Sequence, residues 1–87
     1  SLAVIRDGVS VPLTPMEYKI LSVLMRSPGR IFTKLQLYES AAGTYFEGDD
    51  NTMMVHISKL REKIEEDPRN PRRIVTVRGL GYKFAAR

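Results

Sequence analysis

Apolar and polar residues alternate near the N-terminus on either side of a turn dipeptide. Asp7-Gly8, within residues 3–13, is suited to the positive dihedral angles of a two-residue hairpin turn. The apolar residues after this turn share one face of an extended segment: Val9, Val11 and Leu13. The pattern therefore predicts two short antiparallel strands.

The apolar spacing then changes to the helical period. Thr14, Pro15 and Glu17 supply an N-cap, a first-turn proline and the capping-box partner of the N-cap. A mostly one-sided apolar stripe follows: Met16, Ile20, Leu21, Val23 and Leu24. Because proline cannot extend a helical hydrogen-bond ladder, we expect this first helix to end at Ser27-Pro28.

Two further helices are predicted. Thr33 and Gln36 repeat the capping-box spacing, and Gly43 provides a C-terminal stop. The apolar positions of this second helix are Leu35, Leu37, Tyr38 and Ala41. After a loop over 44–50, Asp49 or Asp50 is suited to cap a third helix over about 51–66. Its core stripe is predicted to be Met53, Ile57, Leu60 and Ile64, and a different face carries Val55, Ser58, Lys59 and Glu62.

A C-terminal hairpin completes the predicted order. Residues 72–84 alternate and are rich in β-branched and aromatic side chains around a turn at Gly79-Leu80-Gly81. Pro68 and Pro71 end the third helix before it. Hairpin, three helices and hairpin make an α+β fold, a winged helix-turn-helix in which the last hairpin is the wing.

Composition narrows the functional classes. We expect one domain over residues 1–87, because a chain of 87 residues builds one modest core. It contains no cysteine, which removes disulfides, thiolate nucleophiles and zinc-thiolate sites and fits a reducing cytoplasm. No apolar run approaches the roughly 20 residues of a membrane span, and no signal-peptide pattern opens the sequence. We expect a soluble, cytoplasmic domain.

Positive charge is concentrated toward the C-terminus. Residues 1–55 carry five Lys and Arg against six Asp and Glu, whereas residues 56–87 carry nine against four. The net charges of −1 and +5 favour a polyanionic partner for the second segment. A solvated basic surface that binds nothing is the alternative.

The second face of the third helix is the candidate contact surface. One helix fits a DNA major groove, while a hairpin reaches phosphates or the minor groove. Lys59, Arg61 and Lys63 supply charge. The small side chains that can approach base edges are Thr52, Val55 and Ser58. Helix-surface ion pairs with Glu62, Glu65 and Glu66 are the alternative, strongest for Lys63.

Catalytic and metal chemistry has little support. His56 is the sole histidine, and no motif places a nucleophile beside it, so a structural or phosphate-contacting role is favoured. Glu47 and the aspartates after it lack the ligand spacing of a calcium loop. We predict neither an enzyme nor a cofactor. Tyr45 and Phe46 are either a contact for a partner protein or core residues.

Three segments together resemble the winged-helix effector domain of OmpR/PhoB-type response regulators: residues 13–37, 55–64 and 76–84. The resemblance covers essentially the whole chain. It implies a bacterial regulator of transcription that binds specific duplex DNA as the output domain of a two-component phosphorelay. A receiver domain, absent from these residues, would be phosphorylated on aspartate by a sensor histidine kinase.

The resemblance also implies site residues and partners. The family's DNA-facing positions align with Thr52, Val55, His56, Ser58, Lys59 and Arg61 on the third helix, and with Thr76 and Arg78 on the wing. Arg78 resembles the wing arginine of the minor groove. Tyr45, Phe46 and Glu47 align with a loop that contacts RNA polymerase in this family. The implied target is promoter DNA with direct repeats, bound by a domain that is a monomer alone and a dimer on DNA.

Two departures from the family pattern change these expectations. Family members usually carry arginine where Asn51 and Ser58 stand, so some phosphate contacts are expected to be missing or replaced. The family's N-terminal sheet has about four strands and two are predicted here, so we expect a shortened sheet with an unpaired edge. Use of the winged helix for protein interaction is the alternative function, which the charge asymmetry disfavours.

Overall fold

The fold is built from two strand pairs and three helices. The computed structural model describes residues 3–42 and 49–85, with the side chains of 42 and 49–52 outside that description. The predicted order of hairpin, three helices and hairpin is confirmed. In chain order, the elements are β1 (Ala3–Arg6), β2 (Val9–Pro12), α1 (Pro15–Arg26), α2 (Lys34–Ala42), α3 (Asp49–Ile64), β3 (Ile74–Val77) and β4 (Gly81–Phe84).

The N-terminal hairpin turns where the sequence predicts. Asp7 and Gly8 both have positive φ, 51° and 78°, and β1 pairs antiparallel with β2. Of the apolar residues predicted to share one face, Leu13 is buried and Val9 is 62% exposed. Val9 pairs with Arg6 beside the turn, at the end of the hairpin farther from Leu13 in sequence.

Both predicted capping boxes are present. At the start of α1, the Thr14 hydroxyl accepts from the Glu17 amide at 3.2 Å and the Glu17 carboxylate accepts from the Thr14 amide at 2.9 Å. Thr33 and Gln36 make the equivalent pair before α2, at 3.0 and 2.9 Å. These bonds use amide N–H groups that have no partner inside the helix, so the sequence alone locates both helix starts.

The core lies between the three helices and the second strand pair. Its buried apolar residues form one cluster: Leu13, Ile20, Leu21, Val23, Leu24, Phe32, Leu37, Tyr38, Ala41, Met53, Ile57, Leu60, Ile74 and Tyr82. Of the four apolar positions predicted for α2, Leu35 is the one outside this cluster, since it is 44% exposed. Residues two apart lie on nearly opposite sides of a helix, so burial of Leu37 turns Leu35 outward.

The third helix is shifted by about one half-turn from its predicted bounds. It begins at Asp49 and ends at Ile64, so Asp50 lies inside the helix rather than before it as a cap. The core stripe is as predicted, with Met53, Ile57 and Leu60 buried and Ile64 half-buried against them.

The C-terminal hairpin, called the wing below, consists of β3, β4 and the turn between them. Gly79 has φ 76° in the turn, as the hairpin prediction requires. Gly81 was assigned to the same turn but lies in β4, where a Cβ would stand 2.0 Å from the Phe32 carbonyl oxygen. That closeness arises because Phe32 and Tyr82 exchange two backbone hydrogen bonds of 2.8 Å, which join the wing to the segment before α2.

Candidate nucleic-acid interface

The face of α3 opposite its core stripe is open to solvent. Val55 is 50% exposed, and Ser58, Lys59 and Glu62 are also exposed. Their spacing of three and four residues puts them along one side of the helix. The prediction that these four residues point away from the core stripe is confirmed.

Two neighbouring elements border this face. On one side Val55, His56 and Lys59 line a shallow groove with the start of α1, which contributes Thr14 and Lys19. On the other side α3 faces the wing across a second groove, lined by Ser58, Arg61, Thr76 and Tyr82 among others. The exposed helix therefore lies between a helix N-terminus that carries a lysine and a hairpin that carries an arginine.

Arg78 stands at the tip of the wing. It is exposed, and the turn that carries it is closed by the Leu80 amide, which donates to the Val77 carbonyl at 2.9 Å. The positive φ of Gly79 lets the chain reverse immediately after Arg78. The wing thus presents a cation beyond the end of its two strands.

Arg61 and Thr76, both predicted to face DNA, bind each other. The Arg61 guanidinium donates from Nε and Nη2 to the Ile74 carbonyl at 3.0 and 2.8 Å, and from Nη2 to Thr76 Oγ1 at 2.8 Å. It also lies 5.7 Å from the centre of the Tyr82 ring. Partial burial lowers the pKa of Arg61, against the opposing effects of Tyr82 and Glu65, but arginine stays charged in proteins. Arg61 therefore links α3 to the wing.

Lys63 is directed toward α1 rather than toward the exposed face. Its ammonium lies 2.5 Å from the carboxylate of Glu17, which is buried at 1% exposure. Burial raises the pKa of Glu17, yet hydrogen bonds from Lys63 and Thr14 outweigh it and hold this pKa below its ordinary value. An ion pair was the alternative for Lys63, but its partner is 46 residues away instead of on the same helix.

Glu65 has a role that the sequence interpretation missed. It was grouped with helix-surface acids, but it is buried at 1% exposure directly after α3. One carboxylate oxygen accepts from the amides of Arg72 and Arg73 at 2.9 and 3.1 Å. The other accepts from Arg73 and Ile74 at 3.0 and 2.7 Å. Glu65 follows Ile57 by eight residues, a spacing that places it on the same side of the helix as the core stripe. This spacing is the sequence signal that indicates burial of Glu65.

Several predicted site residues lie outside the described part of the chain. They are the side chain of Thr52 and the loop residues Tyr45, Phe46 and Glu47. His56 is half-buried in the groove beside α1. Among the described residues, no group of three His, Cys, Asp or Glu is placed to hold a metal ion. None of the helices in residues 3–42 and 49–85 is long and apolar enough to cross a membrane.

Comparison with known proteins decides the family. Residues 8–84 match the family model described as the C-terminal domain of transcriptional regulatory proteins. The chain belongs to this family. It is 55% identical over 86 residues to the response regulator GtcR of Aneurinibacillus migulanus, covering 97% of this chain and 35% of that protein. It is 48% identical over 78 residues to the sensory transduction protein RegX3 of Mycolicibacterium smegmatis, covering 90% and 34%.

Solved structures of similar fold support the same family. The DNA-binding domain of Klebsiella pneumoniae RstA, determined in complex with the RstA box, superposes with a TM-score of 0.81 at 34% identity, covering 95% of this chain and 82% of that one. DrrB of Thermotoga maritima, described as an OmpR/PhoB homologue, superposes at 0.83 and 30% identity, covering 97% and 38%. The domain is thus a winged-helix DNA-binding domain of the OmpR/PhoB type, and its family consists of regulators rather than enzymes.

This chain spans about a third of the length of the curated relatives that it matches.

Proposed function

We propose that this domain binds a specific duplex DNA sequence in promoters and regulates transcription as the output domain of a two-component response regulator. The observation that carries the proposal is the solvent-open face of α3 with Lys59 at its centre, bordered by a wing whose tip is Arg78. An α-helix fits the major groove of B-DNA, and a wing beside it reaches the adjacent backbone or minor groove. The RstA relative in complex with its DNA box supports this arrangement.

The contacts divide into those that read bases and those that hold the backbone. We assign base contacts to Lys59, Val55 and Thr52, because the first two are exposed on one side of α3 and Thr52 precedes Val55 by three residues on the same helix. Lys59 can donate to guanine acceptors, and the Val55 methyl groups can pack on a thymine methyl. Ser58 and His56, beside them, are assigned to phosphates.

The wing residues and Arg61 complete the proposed interface. Arg78 enters the minor groove or binds a phosphate, as its place at the wing tip allows. The bonds of Arg61 to Ile74 and Thr76 use Nε and Nη2, which leaves the two N–H groups of Nη1 for a phosphate beside Thr76. In this role Arg61 holds the wing and the DNA backbone together.

The wider context is proposed from the relatives. We infer that residues 1–87 are a single domain of a longer cytoplasmic protein. Its receiver would be phosphorylated on aspartate by a sensor histidine kinase. Tyr45, Phe46 and Glu47 are proposed to contact RNA polymerase. We expect the domain to be a monomer alone and to pair on direct repeats, because DNA would bring two copies together.

Selection from a random-sequence duplex pool at moderate salt tests the base contacts. We expect the wild-type domain to enrich a short motif, as a spaced direct repeat. Lys59→Ala should relax the preference at one or two base pairs, at a cost of about 1–3 kcal/mol on the preferred sequence. Lys63→Ala is the matched control, because it removes the same charge from the same helix at a side chain bound to Glu17.

Three results would count against parts of this proposal. Equal loss on every sequence in Lys59→Ala would move Lys59 from base contact to phosphate contact. An equal change in Lys63→Ala would mean that net charge, not position, sets the preference. Retention of no DNA by the wild-type domain, together with salt-insensitive binding to a protein, would favour an interaction module.

A further inference from the structure

Two oppositely charged side chains at the end of α3 form hydrogen bonds with the backbone of the wing, one as a donor and the other as an acceptor. Arg61 binds the carbonyl oxygen of Ile74, and Glu65, four residues later, binds the amide of the same residue. A carboxylate only accepts and a guanidinium only donates, so the two side chains cannot exchange roles. Together they bind the carbonyl and the amide of Ile74, the first residue of β3.

The Glu65 carboxylate is closely matched to this position. Each of its oxygens accepts two bonds from the three consecutive amides of residues 72–74, at 2.7–3.1 Å. A glutamine would present a donating NH₂ group to at least one of those amides, and an unpartnered buried N–H is costly. An aspartate would keep the charge but is one methylene shorter. Both changes should therefore loosen the start of β3.

Other hydrogen bonds of the wing involve β4 and the residue after it. Phe32 pairs with Tyr82 of β4, and the Ala85 amide donates to the Arg73 carbonyl at 2.8 Å. These contacts join the wing to the segment before α2 and to its own far strand. The contacts of Arg61 and Glu65 relate the start of β3 to the helix proposed to enter the major groove, and a longer bond of 3.4 Å from Arg73 Nη1 to the Ile64 carbonyl adds to them. β3 then runs from Ile74 to Val77, directly before Arg78.

We propose that Glu65 is a positioning residue for DNA binding. Its carboxylate fixes the start of β3 on the end of α3 and so sets where Arg78 meets DNA while α3 occupies the groove. This inference rests on the proposed function, because it acts through the contact assigned to Arg78. A residue that served stability alone would weaken binding to the same extent whether or not Arg78 were present.

A double-mutant cycle on the 87-residue chain separates the two roles. Binding to the selected duplex is measured for wild type, Glu65→Gln, Arg78→Ala and the double variant. We expect Glu65→Gln to weaken binding by roughly fivefold or more in the wild-type background and by less than about twofold in the Arg78→Ala background. An equal loss in both backgrounds would overturn the proposal.

Glu17→Gln is the matched control. It also replaces a buried glutamate whose carboxylate accepts a backbone N–H, and it changes the net charge by the same amount. The carboxylate of Glu17, however, binds Thr14 and Lys63 and so joins α1 to α3 rather than to the wing. Its effect on binding should be the same with and without Arg78. If Glu17→Gln shows the same coupling to Arg78 as Glu65→Gln, the coupling reflects general loosening and the proposal fails.

Amide hydrogen exchange of the DNA-free domain gives a second readout. In Glu65→Gln the amides of residues 72–77 should exchange about tenfold faster or more relative to those of β2, and Glu65→Asp should show a smaller change of the same kind. Should Glu65→Gln not fold, Glu65→Asp replaces it in both measurements. Unchanged exchange at 72–77 in Glu65→Asp and Glu65→Gln would overturn the proposal.

The two proposals can fail separately. If wild type does not bind DNA, or Arg78→Ala binds as well as wild type, the contact assigned to Arg78 is wrong. Exchange at residues 72–77 then decides by itself whether Glu65 holds the wing.

Discussion

Among the residues that the structure describes, two glutamates are buried, and each carboxylate is stabilised by the hydrogen bonds that it accepts. Glu17 binds the Thr14 amide and the Lys63 ammonium, so it both caps α1 and pairs with a cation from α3. Glu65 binds three backbone amides. A buried charge is costly without such partners. At the scale of single residues, the acids therefore join elements that are distant in sequence.

Glu17→Gln should lower stability in a pH-dependent way. The pKa of Glu17 is lowered in the folded state, so its contribution is present above the ordinary carboxyl pKa and is lost as pH falls through the folded-state pKa. We expect a loss of roughly 1–3 kcal/mol near neutral pH. Urea unfolding at neutral and acidic pH should show the difference between variant and wild type shrinking with acid. A difference that is constant with pH would contradict this.

Gly81 and Gly79 differ in the space available for a side chain. Gly81→Ala should cost more than about 2 kcal/mol, because its Cβ would meet the Phe32 carbonyl oxygen at 2.0 Å. Gly79→Ala should cost about 1–2 kcal/mol, from the positive φ alone, since its Cβ would meet nothing within 4 Å. Thermal unfolding of both variants measures the difference. Equal costs would mean that the segment around Phe32 moves to make room.

At the scale of elements, α1 and α2 begin where their capping residues predict, and α3 is oriented by its apolar stripe. The two capping boxes determine the starts of α1 and α2, and the stripe of α3 turns Val55, Ser58 and Lys59 to solvent. The wing is different, because four-residue strands have little stability alone. It depends on the contacts from Phe32, Arg61 and Glu65.

Two leucines of α2 test the orientation of that helix. Leu37→Ala should destabilise the domain by about 2–5 kcal/mol, because Leu37 is fully buried and the change leaves a cavity. Leu35→Ala, on the exposed side of the same helix, should stay within roughly 0.5 kcal/mol of wild type. Urea unfolding of the pair measures this. A large loss in Leu35→Ala would show that its exposed side chain is covered in solution.

At the scale of the whole molecule, only some of the positive charges in the C-terminal half of the sequence are exposed on α3 and the wing. The exposed cations Lys59 and Arg78 lie on α3 and the wing, whereas Lys63 is neutralised by Glu17 and Arg61 is bound to β3. Net charge therefore overstates the number of cations that face a ligand. The salt dependence of DNA binding measures how many cations contact phosphates.

The salt dependence of DNA binding should distinguish these cations. Loss of one phosphate contact by a cation reduces the magnitude of the slope of log K against log salt by about 1. We expect such a reduction for Arg78→Ala if it binds a phosphate, a smaller one for Lys59→Ala, which is assigned to bases, and almost none for Lys63→Ala, because its charge is paired with Glu17. Titrations at several salt concentrations measure the slopes. A reduction for Lys63→Ala equal to that for Arg78→Ala would contradict the assignment.

The sequence by itself determined what depends on near neighbours in the chain. The Asp7-Gly8 turn, the two capping boxes and the core stripe of α3 were predicted, because each rests on groups within about one or two helical turns of one another. The exposed face with Val55 and Lys59 followed from the same periodicity.

Only the tertiary structure decided which distant groups meet. Lys63 binds Glu17, Arg61 and Glu65 bind β3, and Gly81 lies against Phe32. No local pattern indicates these pairs, since proximity across 9 to 49 residues arises only when the helices and the wing pack around one core. The positions of the wing and of the cations left exposed on α3 are therefore properties of the packed domain.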